Sequence, residues 1–286
     1  MKHFIKTNRL FLTSTTLLLL LSFLFSFFLV SHNAGMAYAD DEIYYQDSAT
    51  VIGTSTETID FSYYEEEIGY ANNYCPEYYN TNSNLESSCA AVAGAIIVGY
   101  YDRNSTSLIP NFTPGWTVNG SYRYYPMTYA TSTIQSVIGT LYINMGITSS
   151  GTTQTQYKNG LASYVNNQGY SIAYTSIMSN GSLNYSSTVT QMSNGKVASL
   201  FLVNFNGCSI SMGSNTATYT KTSYSGNHIF VAYGYRKIRY YDSNNNNFRT
   251  DIFLKVSTGF SSVKNAWYYV ASSDTTLAAA EAAYIY

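Results

Sequence analysis

Between Ala90 and Val98 the chain reads Ala-Ala-Val-Ala-Gly-Ala-Ile-Ile-Val, with no polar side chain, directly after Ser87-Ser88-Cys89. A helix that is apolar on every face has to be enclosed by the rest of the fold, and serine is a favourable residue at a helix start. The stretch therefore predicts a buried helix that opens at Cys89 and closes over Tyr100-Tyr101-Asp102-Arg103. Leu161 to Val165, ahead of Asn166-Asn167, predicts a second, shorter helix; the alanine-rich run from Asp274 to Ala283, with Asp274 as N-cap, predicts a terminal one. Branched and aromatic residues dominate Lys196 to Phe205, His228 to Tyr241 and Asp251 to Ser257, each run bounded by Gly, Asn or Ser, which is the composition of strands. A helix first and antiparallel strands afterwards make the expected fold class α+β.

The hydrophobic run nearest the start belongs to another category. Lys2, Lys6 and Arg9 lead into a nearly all apolar or hydroxylic stretch from Leu10 to Val30, and Ala37-Tyr38-Ala39 places small residues at a cleavage position. About 20 apolar residues also suffice to span a bilayer, but the cleavage pattern in front of Asp40 favours a removable secretory signal over residues 1–39. The expectation is a bacterial protein exported and secreted, with no membrane association after cleavage. His3 and His32 leave with that segment, which makes His228 the one histidine among the remaining 247 residues. Cys75, Cys89 and Cys208 stay, and an odd number in an oxidising compartment leaves one thiol over once Cys75 and Cys208 pair or are buried. One histidine and three scattered cysteines do not compose a zinc motif, so neither a metal nor a cofactor is expected.

Composition narrows the class further. Of the 286 residues 45% are hydrophobic and 10% charged, too apolar for a disordered chain, and 14 basic against 16 acidic residues set up no field for nucleic acid. Charge is uneven along the chain: ten of the sixteen acidic residues fall between Asp40 and Glu77, which holds no Lys or Arg. Residues 40–77 are therefore expected to be a separate acidic segment, either a solvated linker or a prosegment docked on the mildly basic domain 78–286.

Cysteine chemistry survives these filters. At the first turn of a helix, N–H groups without intrahelical partners and the helix dipole favour a thiolate at Cys89 and an oxyanion beside it. His228 follows 139 positions downstream, in Gly226-Asn227-His228-Ile229-Phe230-Val231-Ala232-Tyr233-Gly234-Tyr235. A nucleophilic cysteine followed by a histidine about 130 to 150 residues later is the papain spacing, in which the imidazole takes the thiol proton and returns it to the leaving amine. Taken singly, a cysteine in an Ala-rich helix and a histidine on a strand are ordinary core residues.

Asn84-Leu85-Glu86-Ser87-Ser88-Cys89-Ala90-Ala91-Val92 resembles the cysteine-bearing helix start of bacterial papain-like cysteine peptidases, especially the bacteriocin-leader-peptidase-like and streptopain-like groups. Asn227-His228-Ile229-Phe230-Val231-Ala232-Tyr233-Gly234-Tyr235 is similar to their histidine strand, with Asn227 where Gly is common and Ala90 where many relatives carry Gly or Val. The resemblance covers these two short stretches. It implies a papain-like fold, an N-terminal catalytic helix packed on an antiparallel sheet, and hydrolysis of peptide or protein substrates through an acyl-enzyme. It also implies an amide before the cysteine that completes the oxyanion hole, for which Asn84 is the candidate and Asn82 the second. The group that orients the imidazole stays open. Asp242 faces His228 if the strand turns at Gly234 to Lys237. Asn265, in an Asn265-Ala266-Trp267 similar to the Asn-x-Trp of papain relatives, faces it if one long hairpin turns at Asp242 to Asn247, the stronger turn signal. Two alternatives remain beside the peptidase: an amidase of the same clan acting on cell-wall peptides, and a non-catalytic surface module. Ser261-Ser262-Val263-Lys264 spells a serine-enzyme motif in the wrong order along the chain, and the Asp242 loop lacks the Gly and Glu of a calcium loop.

Overall fold

The computed structural model describes residues 43, 45, 49–105, 107–110, 117–119, 122–124, 131–270 and 276–286, of which 117–119 and 122–124 are described by their backbone alone. The segment expected to be a secretory signal, and Asp274, lie outside the described residues. Ile43 to Tyr286 form one compact unit. Its strands are β1 (Thr50–Asp60), β2 (Tyr63–Tyr70), β3 (Thr117–Asn119), β4 (Tyr122–Tyr124), β5 (Ile172–Ser176), β6 (Met178–Ser179), β7 (Ser182–Leu183), β8 (Val197–Val203), β9 (Asn206–Met212), β10 (Thr216–Ser225), β11 (Asn227–Tyr241), β12 (Asn247–Ser257), β13 (Asn265–Val270) and β14 (Leu277–Ile285). Its described helices are α1 (Cys89–Asp102), α2 (Ser132–Asn144), α3 (Gln154–Asn167) and α4 (Tyr185–Ser193).

The expected α+β, papain-like architecture is corrected by this inventory. Among the described residues strands hold 45% and helices 23%, and a ten-stranded antiparallel sheet forms the body of the folded unit. Its path runs β1-β10-β9-β13-β12-β11-β8-β14-β5, with β2 added on β11. Two misread segments account for the shift. The Ala-rich end is strand β14, paired with β8 and β5, and not a helix. Alanine favours helix in isolation, but a strand wedged between two others gains from small side chains, and tertiary pairing overrides the propensity. The acidic segment is neither linker nor appended leader: β1 pairs with β10 and β2 with β11, so the folded unit begins well before residue 78.

Helix α1 is enclosed on all sides: every residue from Cys89 to Asp102 is buried. Around it lie Leu141 of α2, Tyr157 and Tyr164 of α3, Tyr45, Tyr78, and the strand residues Phe201, Ile229 and Val231. Gly99 lets the Tyr78 ring lie against the helix, since a Cβ there would stand 2.5 Å from that ring. Helix α3 carries a reciprocal cap between Thr153 and Gln156. Along β11 the side chains alternate. Ile229, Val231 and Tyr233 face the α1 core, whereas Phe230 and Ala232 join Leu200, Leu202, Leu254 and Val256 in a second core on the other face. A third cluster, with Ile59, Phe61, Tyr219, Tyr240 and Phe253, lies under the acidic strands.

Ion pairs fix those acidic strands in place. Glu57 on β1 meets Arg249 at 2.5 Å and Lys221 at 2.9 Å, Glu66 pairs with Arg236, and Arg249 also reaches the buried Asp251 at 2.8 Å. The Arg249 contact, ahead of Lys221, holds the Glu57 carboxyl down at about 2.

Candidate functional site

Cys89 is the first residue of α1, and the helix ladder begins with Val92 N–H donating to Ser88 C=O at 3.0 Å. Ser88 stands at the N-cap position, yet its side chain does not cap the helix. Its hydroxyl instead accepts from the Asn80 amide at 3.0 Å, and the same Asn80 nitrogen reaches the carbonyls of Asn82 and Leu85. The turn ahead of the thiol is thus tied through Asn80, which no motif in the sequence marks. Asn84 and Asn82, the expected oxyanion amides, are both exposed; the Asn82 carboxamide oxygen accepts from Asn84 N–H at 3.0 Å and shapes the turn.

The Cys89 side chain is 2% exposed and belongs to the core that also holds Tyr45 and Tyr157. Burial, and then the nearby Cys89, push the Tyr45 phenol upward. Cys75 and Cys208 are free thiols, so the possible bridge between them is not formed. Burial pushes the Cys75 thiol far up and the Cys208 thiol up to about 11, which keeps both protonated.

His228, also 2% exposed, is the second residue of β11 and pairs with Leu202. Its Nε2–H donates to the carbonyl of Thr258 at 2.8 Å. In the neutral ring that bond fixes the tautomer with the lone pair on Nδ1, which is the basic nitrogen. The Phe260 ring stacks on the imidazole, centroids 4.3 Å apart, and Phe230 meets it edge-on at 5.0 Å. Between Thr258 and Phe260 the chain passes through Gly259 at φ +76°, where a Cβ would lie 3.1 Å from Val92 Cγ1. Val92 sits one turn along α1 from Cys89, on the same side of the helix. The Thr258–Gly259 segment therefore touches the first turns of α1 with one residue and holds the imidazole with the next.

The orienting groups expected from sequence are elsewhere. The long hairpin forms: β11 runs without a turn to Tyr241 and pairs with β12 from Val231↔Ser257 to Tyr241↔Asn247. Asp242 sits at its tip, where its carboxylate accepts from the backbone N–H groups of Asn244 and Asn246, bonds that draw its pKa down. At ~3.3 Å per strand residue the tip is up to roughly 45 Å along the strand from His228. Asn265 pairs with Ser257 and spends its side chain on Glu77, at 2.5 Å, and on Lys255, at 2.6 Å. Together with Ser257 Oγ donating to Pro76 C=O at 2.7 Å, it moors the segment leading to the cysteine. The group that holds the imidazole is a backbone carbonyl, which no residue-type search registers.

Compared with known proteins, the chain matches no family model, no curated protein and no solved structure.

Proposed function

We propose that this chain is an exported cysteine hydrolase that cuts peptide bonds, with Cys89 as nucleophile and His228 as general base. One observation carries the reading: the Thr258–Gly259 segment packs on the first turns of the helix that begins with Cys89 while its Thr258 carbonyl fixes the His228 tautomer. In the reaction, Nδ1 of His228 takes the thiol proton, the sulfur attacks the peptide carbonyl, and the oxyanion forms against the N–H groups at the start of α1. The imidazolium returns the proton to the departing amine, and water then releases the acyl group from sulfur. Asn265 and Asn80 act as positioning residues for the segments on either side of the nucleophile.

The test combines alkylation with turnover. Iodoacetamide should label Cys89 first below pH 7, because Cys75 and Cys208 are held as thiols, and His228→Ala should abolish cleavage of casein and of wall-derived peptides while slowing that labelling. Asp242→Ala serves as the control and should leave turnover within twofold. Rapid labelling of Cys208 in place of Cys89, or unchanged turnover in His228→Ala, refutes the assignment. The depth of the pair, 2% exposed at both residues, favours a second reading as a non-catalytic module; an inert Cys89 across the pH range would establish it.

A further inference from the structure

A pocket of about 210 Å³ lies beside the aromatic rings that pack on the His228 imidazole. Phe205, Tyr224, Phe230, Phe260, Trp267 and Tyr268 form its walls, and exposed Ser262 and Val263 stand at its rim. No charged side chain lines it. Phe205, Phe230 and Phe260 all have ring contacts with His228, and Thr258, whose carbonyl holds the imidazole, lines the pocket as well. Pocket and imidazole thus share a wall. Size decides the occupant: an apolar cavity of about 150 Å³ accepts one benzene, whereas pockets for complete small-molecule ligands begin near roughly 300 Å³. The space suits a single ring.

Resting on the peptidase reading of Cys89 and His228, we infer that this pocket is the specificity subsite and takes one aromatic side chain of the peptide substrate. A ring buried there loses more apolar surface to the protein than a methyl group does, which corresponds to at least tenfold in kcat/KM. An acidic side chain finds no cation in the walls and is rejected.

The test uses fluorogenic peptides that differ only by Phe, Ala or Asp at each position flanking the cleaved bond, together with N-acetyl-L-phenylalanine amide as a binding probe for the Cys89→Ser protein. At one position the Phe peptide should be cut at least tenfold more efficiently than the Ala and Asp peptides. Ala266→Phe, placing a ring in the pocket from its half-buried wall, should bring cleavage of the Phe peptide down to that of the Ala peptide in the same variant. Ser262→Phe at the exposed rim gives the same readout should Ala266→Phe fail to fold. Saturation-transfer NMR should show the probe's ring binding to Cys89→Ser and losing that binding in the filled variant. Cleavage without side-chain preference overturns the subsite and leaves the peptidase reading intact. No cleavage of any peptide, with the probe bound and displaced by Ala266→Phe, overturns the peptidase reading and supports the pocket as an aromatic side-chain site. No saturable probe binding overturns the inference.

Discussion

Phe61 decides whether the acidic segment belongs to the fold. It is 6% exposed, its ring lies 5.3 Å from Tyr240 and 5.5 Å from Tyr64, and it shares a cluster with Tyr219 and Phe253. Its backbone is held on both sides, by Phe61 N–H to Asn215 C=O at 2.9 Å and by Ser62 N–H to Tyr241 C=O at 2.8 Å. Truncating a buried phenylalanine costs ~3–5 kcal/mol through lost transfer energy and the cavity left behind. The cluster lies under a sheet edge that can partly collapse, so Phe61→Ala is expected to lose about 3 kcal/mol. Against a total stability of about 5–15 kcal/mol, that loss lowers Tm by roughly 6–12 °C for a domain of this size. Urea unfolding followed by far-ultraviolet circular dichroism measures it, with Val51→Ala, on the same segment but 55% exposed, as a control expected to change stability by less than about 0.5 kcal/mol. A chain beginning at Tyr78 loses β1 and β2 together, uncovers β10 and half of β11, and should fail to fold cooperatively. A loss below about 1 kcal/mol in Phe61→Ala, or a two-state unfolding transition in the shortened chain, would show the segment to be an appendage and refute its place in the sheet.

Two further outcomes follow from local geometry. Gly259→Ala puts a Cβ on a residue at φ +76° and into contact with Val92; it should cost ~1–2 kcal/mol in unfolding experiments and, by shifting the Thr258 carbonyl, lower kcat/KM at least tenfold with little change in KM. Glu57 tests the ion pairs by pH. Its carboxyl drops from 4.5 to about 2 on folding, so its contribution is complete above about pH 4.5 and is lost as the pH falls toward 2. Because its side chain is 42% exposed, solvent screening holds that contribution to about 1 kcal/mol. Glu57→Gln should therefore flatten the acid side of a urea-midpoint profile between pH 5 and pH 2, and an unchanged profile would assign that slope to other carboxylates.

What the sequence made legible follows from how much each element buries. Helix α1 was readable because it is apolar on every side, and β8, β11 and β12 because their inner faces carry long branched and aromatic runs. Strand β1 carried no such signal: Thr54-Ser55-Thr56-Glu57-Thr58 is polar at each position because an edge strand buries little, and only Ile59 is enclosed. The acidic composition of residues 40–77 then suggested a solvated leader, although its carboxylates answer the Arg and Lys of β10, β11 and β12 across the sheet. Strand β14 was hidden by alanine, whose preference for helix is strongest where no neighbouring strand competes for the backbone.

At the candidate site, the proposed nucleophile Cys89 and base His228 were readable as residue types, but what holds the imidazole was a matter of register. Once the hairpin tip is set at Asp242 to Asn247, an unbroken pairing that continues the Tyr240↔Arg249 alignment would bring Ser261 opposite His228. The irregularity between Ala232 and Gly234 instead shifts the pairs by one residue, so that Val231 meets Ser257. Continued past that pair, the alignment brings Phe260 opposite His228. A one-residue slip exchanges the two faces of a strand. That slip matches the Phe260 ring found stacked on the imidazole, while Asn265 pairs with Ser257 in the next hairpin, β12 to β13. The partner of the imidazole is thus a backbone carbonyl whose place depends on register, whereas Asp242 caps its own turn and Asn265 binds Glu77 and Lys255.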